Sequence, residues 1–269
     1  MDCSASWCER RAKHAVGLRF SLLLSIGLLA AASVARANDA AELEDAAARA
    51  QYAFFTNDVR ALQDVLAELD AAQFEQRLSS RKNYLLAYGQ WKLAQLHAQH
   101  AQGSSARSDG ASAAKACAAY AKATVKQESR MAEAHALQAI CEDKPQSFVA
   151  LAALERGSCE RHRGLREAMT LAPQNPRVQL IDTMCTRPVA PKDEVERWRR
   201  VVNSFDTAPR PQSGAADWGH AEALTLLAEA LLKSGAHVAA RDAAEKALVI
   251  APDYESARAV LQAISSQSK

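Results

Sequence analysis

The sequence predicts an all-α protein built from helix pairs, on three observations. Alanine and leucine run through all 269 residues, while glycine is held to 10 and aromatic residues to 6%. Straight-chain residues and alanine lose little side-chain freedom in a helix, so this composition favours helices over sheets. Apolar residues recur at spacings of three and four, and glycine and proline fall where helix ends belong.

The first segment stands apart from the fold. Arg10, Arg11, Lys13 and Arg19 form a positive region, Phe20 to Ala32 an apolar run, and Ala35-Arg36-Ala37 a small-residue site. That is the pattern of a secretory signal in residues 1–37, with cleavage expected after Ala37. The 16 apolar-type residues from Phe20 to Ala35 fall short of the roughly 20 that span a bilayer. Cys3 and Cys8 precede the run, whereas a lipidated cysteine follows one.

Removing residues 1–37 takes away 5 of the 33 Lys+Arg and 2 of the 31 Asp+Glu, leaving 28 against 29. A net charge near −1 is no footprint for nucleic acid, and no stable membrane insertion is expected of the mature chain. Its 232 residues are enough for one core or a short repeat array.

In chain order, the periodicity predicts helices over 39–55, 58–69, 81–100, 112–126, 130–142, 146–155, 158–171, 176–186, 192–205, 217–233, 237–250 and 254–265. Residues 101–111, AQGSSARSDGA, are predicted to be a surface loop. Pro209 and Pro211 mark a linker over 206–216 between a helical region, 38–205, and a C-terminal unit, 217–269.

That unit holds the clearest pattern. In Ala221 to Tyr254, Leu224, Leu227, Ala228 and Leu231 share one face of a first helix, Gly235 closes a turn, and Ala240, Ala244 and Ala247 lie along a second helix. Pro252 stops that helix, having no N–H to donate. Arg166 to Pro176 repeats the helix-end, proline and helix-start order of Glu245 to Glu255, and Tyr120 to Leu137 is a weaker echo. The segment of 34 residues resembles a tetratricopeptide repeat. The mature chain is similar to envelope proteins with such repeats and no assigned activity, through Ala132 to Leu137, Leu171 to Val178 and Trp218 to Glu222. The resemblance implies an α-solenoid of antiparallel helix pairs, since one repeat cannot bury its own apolar face. Residues 255–264 then form a capping helix.

Four cysteines follow the signal: Cys117, Cys141, Cys159 and Cys185. An even number in an exported chain favours disulfides. On the helix map each pair joins the start of one helix to the end of the next, so the expected bridges are Cys117 to Cys141 and Cys159 to Cys185. Thiol-redox chemistry is the alternative. There is no CxxC, and the spacings do not resemble a zinc site.

His97 and His100 with His135 are the one histidine constellation, and a polar helix face explains them better than a metal, because no carboxylate stands at ligand spacing. Neither a metal nor a cofactor is expected. No GxSxG, Walker loop or HExxH appears, so an enzyme is not the expectation. Arg197, Arg199 and Arg200 flank Trp198, but Glu194 and Glu196 beside them point to a solvated face with Trp198, Val201 or Val202 inward. Trp91 and Trp218 are expected to pack in the core.

The resemblance implies that a concave face, formed by the first helix of each pair, takes a protein or peptide partner. Carried onto this chain, that face holds Glu222, Thr225, Glu229 and Lys233, with Glu133, Ala136 and Ile140 on the helix near Ala132. The charges do not match a lysine and asparagine clamp for a C-terminal carboxylate. The expected function is a non-enzymatic binding scaffold of the periplasm, with a structural or accessory subunit of an envelope or outer-membrane transport complex as the alternative.

Overall fold

The computed structural model describes residues 39–99, 104–142, 159–186, 190–209 and 217–267, and among them every regular element is helical. The described residues hold eleven α-helices, in chain order α1 (residues 39–55), α2 (Val59–Ala71), α3 (Ser79–Gln99), α4 (Ser104–Gln127), α5 (Ala132–Glu142), α6 (Arg163–Leu171), α7 (Pro176–Cys185), α8 (Pro191–Thr207), α9 (His220–Lys233), α10 (His237–Ile250) and α11 (Glu255–Gln267). The signal, the helix expected at 146–155, residues 101–103 and most of the 206–216 linker lie outside the described residues.

Local chemistry sets many of the ends. Asp58 caps α2 by accepting from the Ala61 N–H at 2.9 Å, and Lys82 donates to the carbonyls of Asp70 in the last turn of that helix and of Ala72 just past its end. Asn175 accepts from the Arg177 and Val178 N–H groups while Pro176 opens α7, where a missing N–H costs nothing. His162 caps α6 through Nδ1 and contacts Glu142 through Nε2 at 2.8 Å. Gly235, at φ +80°, turns the chain from α9 into α10, and α10 stops at Ile250, two residues before Pro252.

Two helix boundaries need correction. The loop expected at 101–111 is helical from Ser104 onward. Its apparent loop composition is overridden by packing: Gly110 lies so close to α3 that a Cβ there would sit 3.3 Å from the His97 Cβ. Helix α6 begins at Arg163 rather than 158, because residues 159–161 form a turn that His162 then caps.

Residues Leu43–Lys269 form one compact unit, which includes the C-terminal helices α9, α10 and α11. The other unit is Met1–Glu42, of which only the first helical residues, 39–42, are described. Within the main body each helix from α2 packs on its successor, and α3 with α5, α5 with α7, and α9 with α11 also touch. Alanines make the close approaches: Ala134, Ala136, Ala139, Ala168, Ala228, Ala240, Ala244 and Ala247 are all fully buried. Trp198 and Val201 turn inward at 2% exposure. The disulfides Cys117–Cys141 and Cys159–Cys185 tie α4 to α5 and the turn before α6 to the end of α7, with Cα separations of 5.9 and 5.1 Å. Cys117 lies in the middle of α4 rather than near its start, since α4 begins early and is about twice as long as α5.

Candidate functional site

Helix α3 is buried on nearly every side from Tyr84 to Leu96, which places Tyr84, Tyr88, Trp91, Lys92 and Gln95 inside the protein. It meets α9, more than a hundred residues later. Trp218, just before α9, donates from Nε1 to Tyr84 Oη at 2.8 Å and stacks on Tyr88 with ring centroids 5.1 Å apart. Two turns along α3, Lys92 Nζ lies 3.1 Å from Glu222 Oε1 and 3.3 Å from Gln95 Oε1, to which it donates.

The ammonium also sits among aromatic rings, 3.8 Å from the Trp91 centroid and 4.4 Å from that of Phe54 on α1. Ring faces carry negative potential, so rings and carboxylate together replace the water that Lys92 loses at 1% exposure. Burial pulls its pKa below the usual lysine value, and Glu222 pulls it back up. The other Glu222 oxygen accepts from the Gly219 N–H at 2.9 Å, which fixes the carboxylate at the start of α9.

Above this pair opens a pocket of about 410 Å³. Its α3 wall carries Trp91, Lys92, Gln95 and Gln99, its α9 wall Glu222, Thr225, Glu229 and Lys233, and Phe54, Leu180, Met184 and Tyr254 are among the other residues that line it. Seven polar or charged side chains are buried among the described residues, and four of them, Lys92, Gln95, Glu222 and Thr225, line this pocket. In a core made mostly of aliphatic residues and rings, buried polar groups are expensive. Their gathering around one cavity marks it as the candidate site.

The residues expected on the concave face separate into two groups. Glu222 and Thr225 lie at the pocket floor, 5% and 2% exposed, with Glu229 half-buried on the wall and Lys233 exposed at the mouth. Glu133, Ala136 and Ile140 are not brought there. Ala136 and Ile140 are core residues, 0% and 8% exposed. Glu133 accepts from Asn175 Nδ2 at 2.6 Å on the wall of a different pocket of about 630 Å³.

Sequence reasoning missed Lys92, Gln95 and Phe54. A signal for Lys92 was present, since a lysine inside a helix that is apolar all round needs a partner. His135 contacts the Ser129 carbonyl through Nε2 at 2.8 Å, and His100 lies outside the described residues. Among the described residues no three His, Cys, Asp or Glu side chains converge on a metal position, and no helix is long and apolar enough to cross a membrane. No protein-family model matches the chain, and no curated protein matches it.

Proposed function

We propose that the chain is a non-enzymatic binding scaffold of an oxidising cell-envelope compartment, a tetratricopeptide-like α-solenoid that holds a protein or peptide partner at the pocket between α3 and α9. The observation that carries this reading is the gathering of four buried polar side chains around one open pocket. The order of helix contacts, each with its successor and α3, α5 and α7 in a row, agrees with a repeat array.

Export accords with the signal pattern of residues 1–37 and with two disulfides, which persist in oxidising compartments. The four sulfurs belong to residues no more than 5% exposed. Thiol exchange needs an accessible sulfur, so burial favours structural bridges over redox chemistry.

The test is a photoreactive amino acid in place of Lys233, in cells that make the full chain. Illumination is expected to give a discrete adduct in the envelope fraction, absent when the photoreactive group is moved to Arg241 on α10. Equal labelling from both positions, or recovery of the protein with an intact N-terminus in the cytoplasm, would sink the reading.

A further inference from the structure

Helix α9 has a second face, turned away from the pocket beside α3. There Leu224, Leu227 and Leu231 form the floor of a groove of about 470 Å³, with α8 as one wall and α10 as the other. At 3.6 residues per turn these three leucines share one side of the helix, and Thr225, Glu229 and Lys233 share the opposite side. Val202 of α8 and Val249 and Ile250 of α10 add apolar surface to the walls. Among the described residues four large apolar side chains are exposed, Tyr52, Val238, Val249 and Ile250, and three of them belong to α10. Apolar surface gathered beside a groove marks a contact face.

The charges on its rim choose the occupant. Arg199 and Asp206 stand on the α8 wall, Asp242 and Lys246 on the α10 wall. Asp242, 2.9 Å away, holds the Lys246 ammonium above its ordinary pKa, and Asp206 across the groove adds to the effect. Asp206 also lies 3.1 Å from His220 Nε2 at the start of α9. The ends of α8 and α10 therefore lie side by side, and the two helices run the same way with α9 reversed between them. Along that common direction α8 carries plus and then minus, while α10 carries minus and then plus. All four side chains are more than half exposed, so the pairs they make within the chain do not shield them from a facing surface.

We infer that this groove is an isologous contact with a second copy of the chain. A two-fold axis laid along the groove sets α8 of the other copy above α10, running in the same direction. Asp206 of each copy then faces Lys246 of the other, Arg199 falls toward Asp242, and Val249 and Ile250 are covered. A uniformly charged partner would meet like charge on each wall, whereas this pattern is complementary to itself. The inference does not depend on the partner pocket, which lies on the opposite face of α9. Two short helix faces make a modest interface, so association in the micromolar range is expected.

The experiment follows the disulfide-intact protein, purified from cells that make the full chain, by sedimentation velocity from low to high micromolar concentration. A monomer–dimer equilibrium is expected, weakening as salt is raised. Val249→Glu is expected to weaken the dimer by about tenfold or more, with helical circular dichroism unchanged because Val249 is 83% exposed. Tyr52→Glu, at an exposed site on α1, is expected to leave the dimer as it was. Asp206→Lys and Lys246→Glu each set like charges against one another in a pair of identical copies, and each alone is expected to lose the dimer by a similar factor. Mixed in equal amounts, the two variants are expected to associate again as one copy of each. The introduced lysine then meets the introduced glutamate, and the native Asp206 meets the native Lys246; mixing would not cure misfolding. A monomer at every concentration, an unchanged dimer in Val249→Glu, or a mixture that fails to associate overturns the inference.

Discussion

Lys92 on α3 and Glu222 on α9 form an ion pair at 3.1 Å, buried to 1% and 5% exposure, between residues 130 positions apart in the chain. Removing one partner leaves an uncompensated charge in the interior, which typically costs about 3 to 5 kcal/mol. Glu222→Gln and Lys92→Met are each expected to destabilise on that scale. The double variant is expected to lose clearly less than the sum, because it strands no charge. Urea midpoints of the four proteins check this, and additive losses would mean that the pair is not coupled.

The two disulfides close loops with sequence separations of 24 and 26. In the chain-entropy account each stabilises by about 3.5 kcal/mol. Cys117→Ala with Cys141→Ala, and separately Cys159→Ala with Cys185→Ala, are expected to lower stability by roughly that amount. Intact mass before and after reduction should show two bridges, and peptide mapping should find these pairs only. A crossed pairing would contradict the arrangement of α4 to α7.

Tyr84, Tyr88 and Tyr254 are buried, and burial holds all three phenols above the usual tyrosine range, with Glu133 acting further on Tyr84 and Glu222 on Tyr88 and Tyr254. Their folded pKa values lie above the unfolded value of 10.0, so the folded state holds more protons in that window. The stability they contribute is complete below pH 10.0 and is lost as pH rises above it. Tyrosinate absorbance from these three phenols is therefore expected to appear only together with loss of helical circular dichroism. Smooth titration of every tyrosine with the helices intact would count against this core.

Gly219 and Gly235 both hold positive φ, +106° and +80°, yet their surroundings differ. A Cβ on Gly219 would stand 2.7 Å from the Phe205 ring, while one on Gly235 would meet nothing within 4 Å. Gly235→Ala is expected to cost about 1 to 2 kcal/mol of left-handed strain alone. Gly219→Ala adds overpacking of about 1 to 3 kcal/mol, and it disturbs the N–H that holds Glu222. Thermal midpoints should fall further for Gly219→Ala, and equal falls would argue that Phe205 yields freely.

Much of the helix map was legible because local rules decide it. The spacing of Leu224, Leu227 and Leu231, the turn at Gly235 and the stop before Pro252 placed α9 and α10 within three residues of their observed ends. The start of α4 was not legible, since Ser104 to Gly110 is poor helix sequence that packing on α3 overrides. Glu222, Thr225, Glu229 and Lys233 came from the resemblance to a tetratricopeptide repeat, carried onto α9, and the structure places all four in the lining of one pocket.

The sequence by itself determined the helical class, the turns and the cysteine pairs between successive helices, because each depends on neighbours within a few tens of residues. Only the tertiary structure decided that α3 meets α9, that Lys92 becomes the partner of Glu222, and that Glu133, Ala136 and Ile140 lie elsewhere. Lys92 and Glu222 stand on helices that five others separate among the described residues, and periodicity within one helix reports which of its faces is shared but not which distant helix that face will meet.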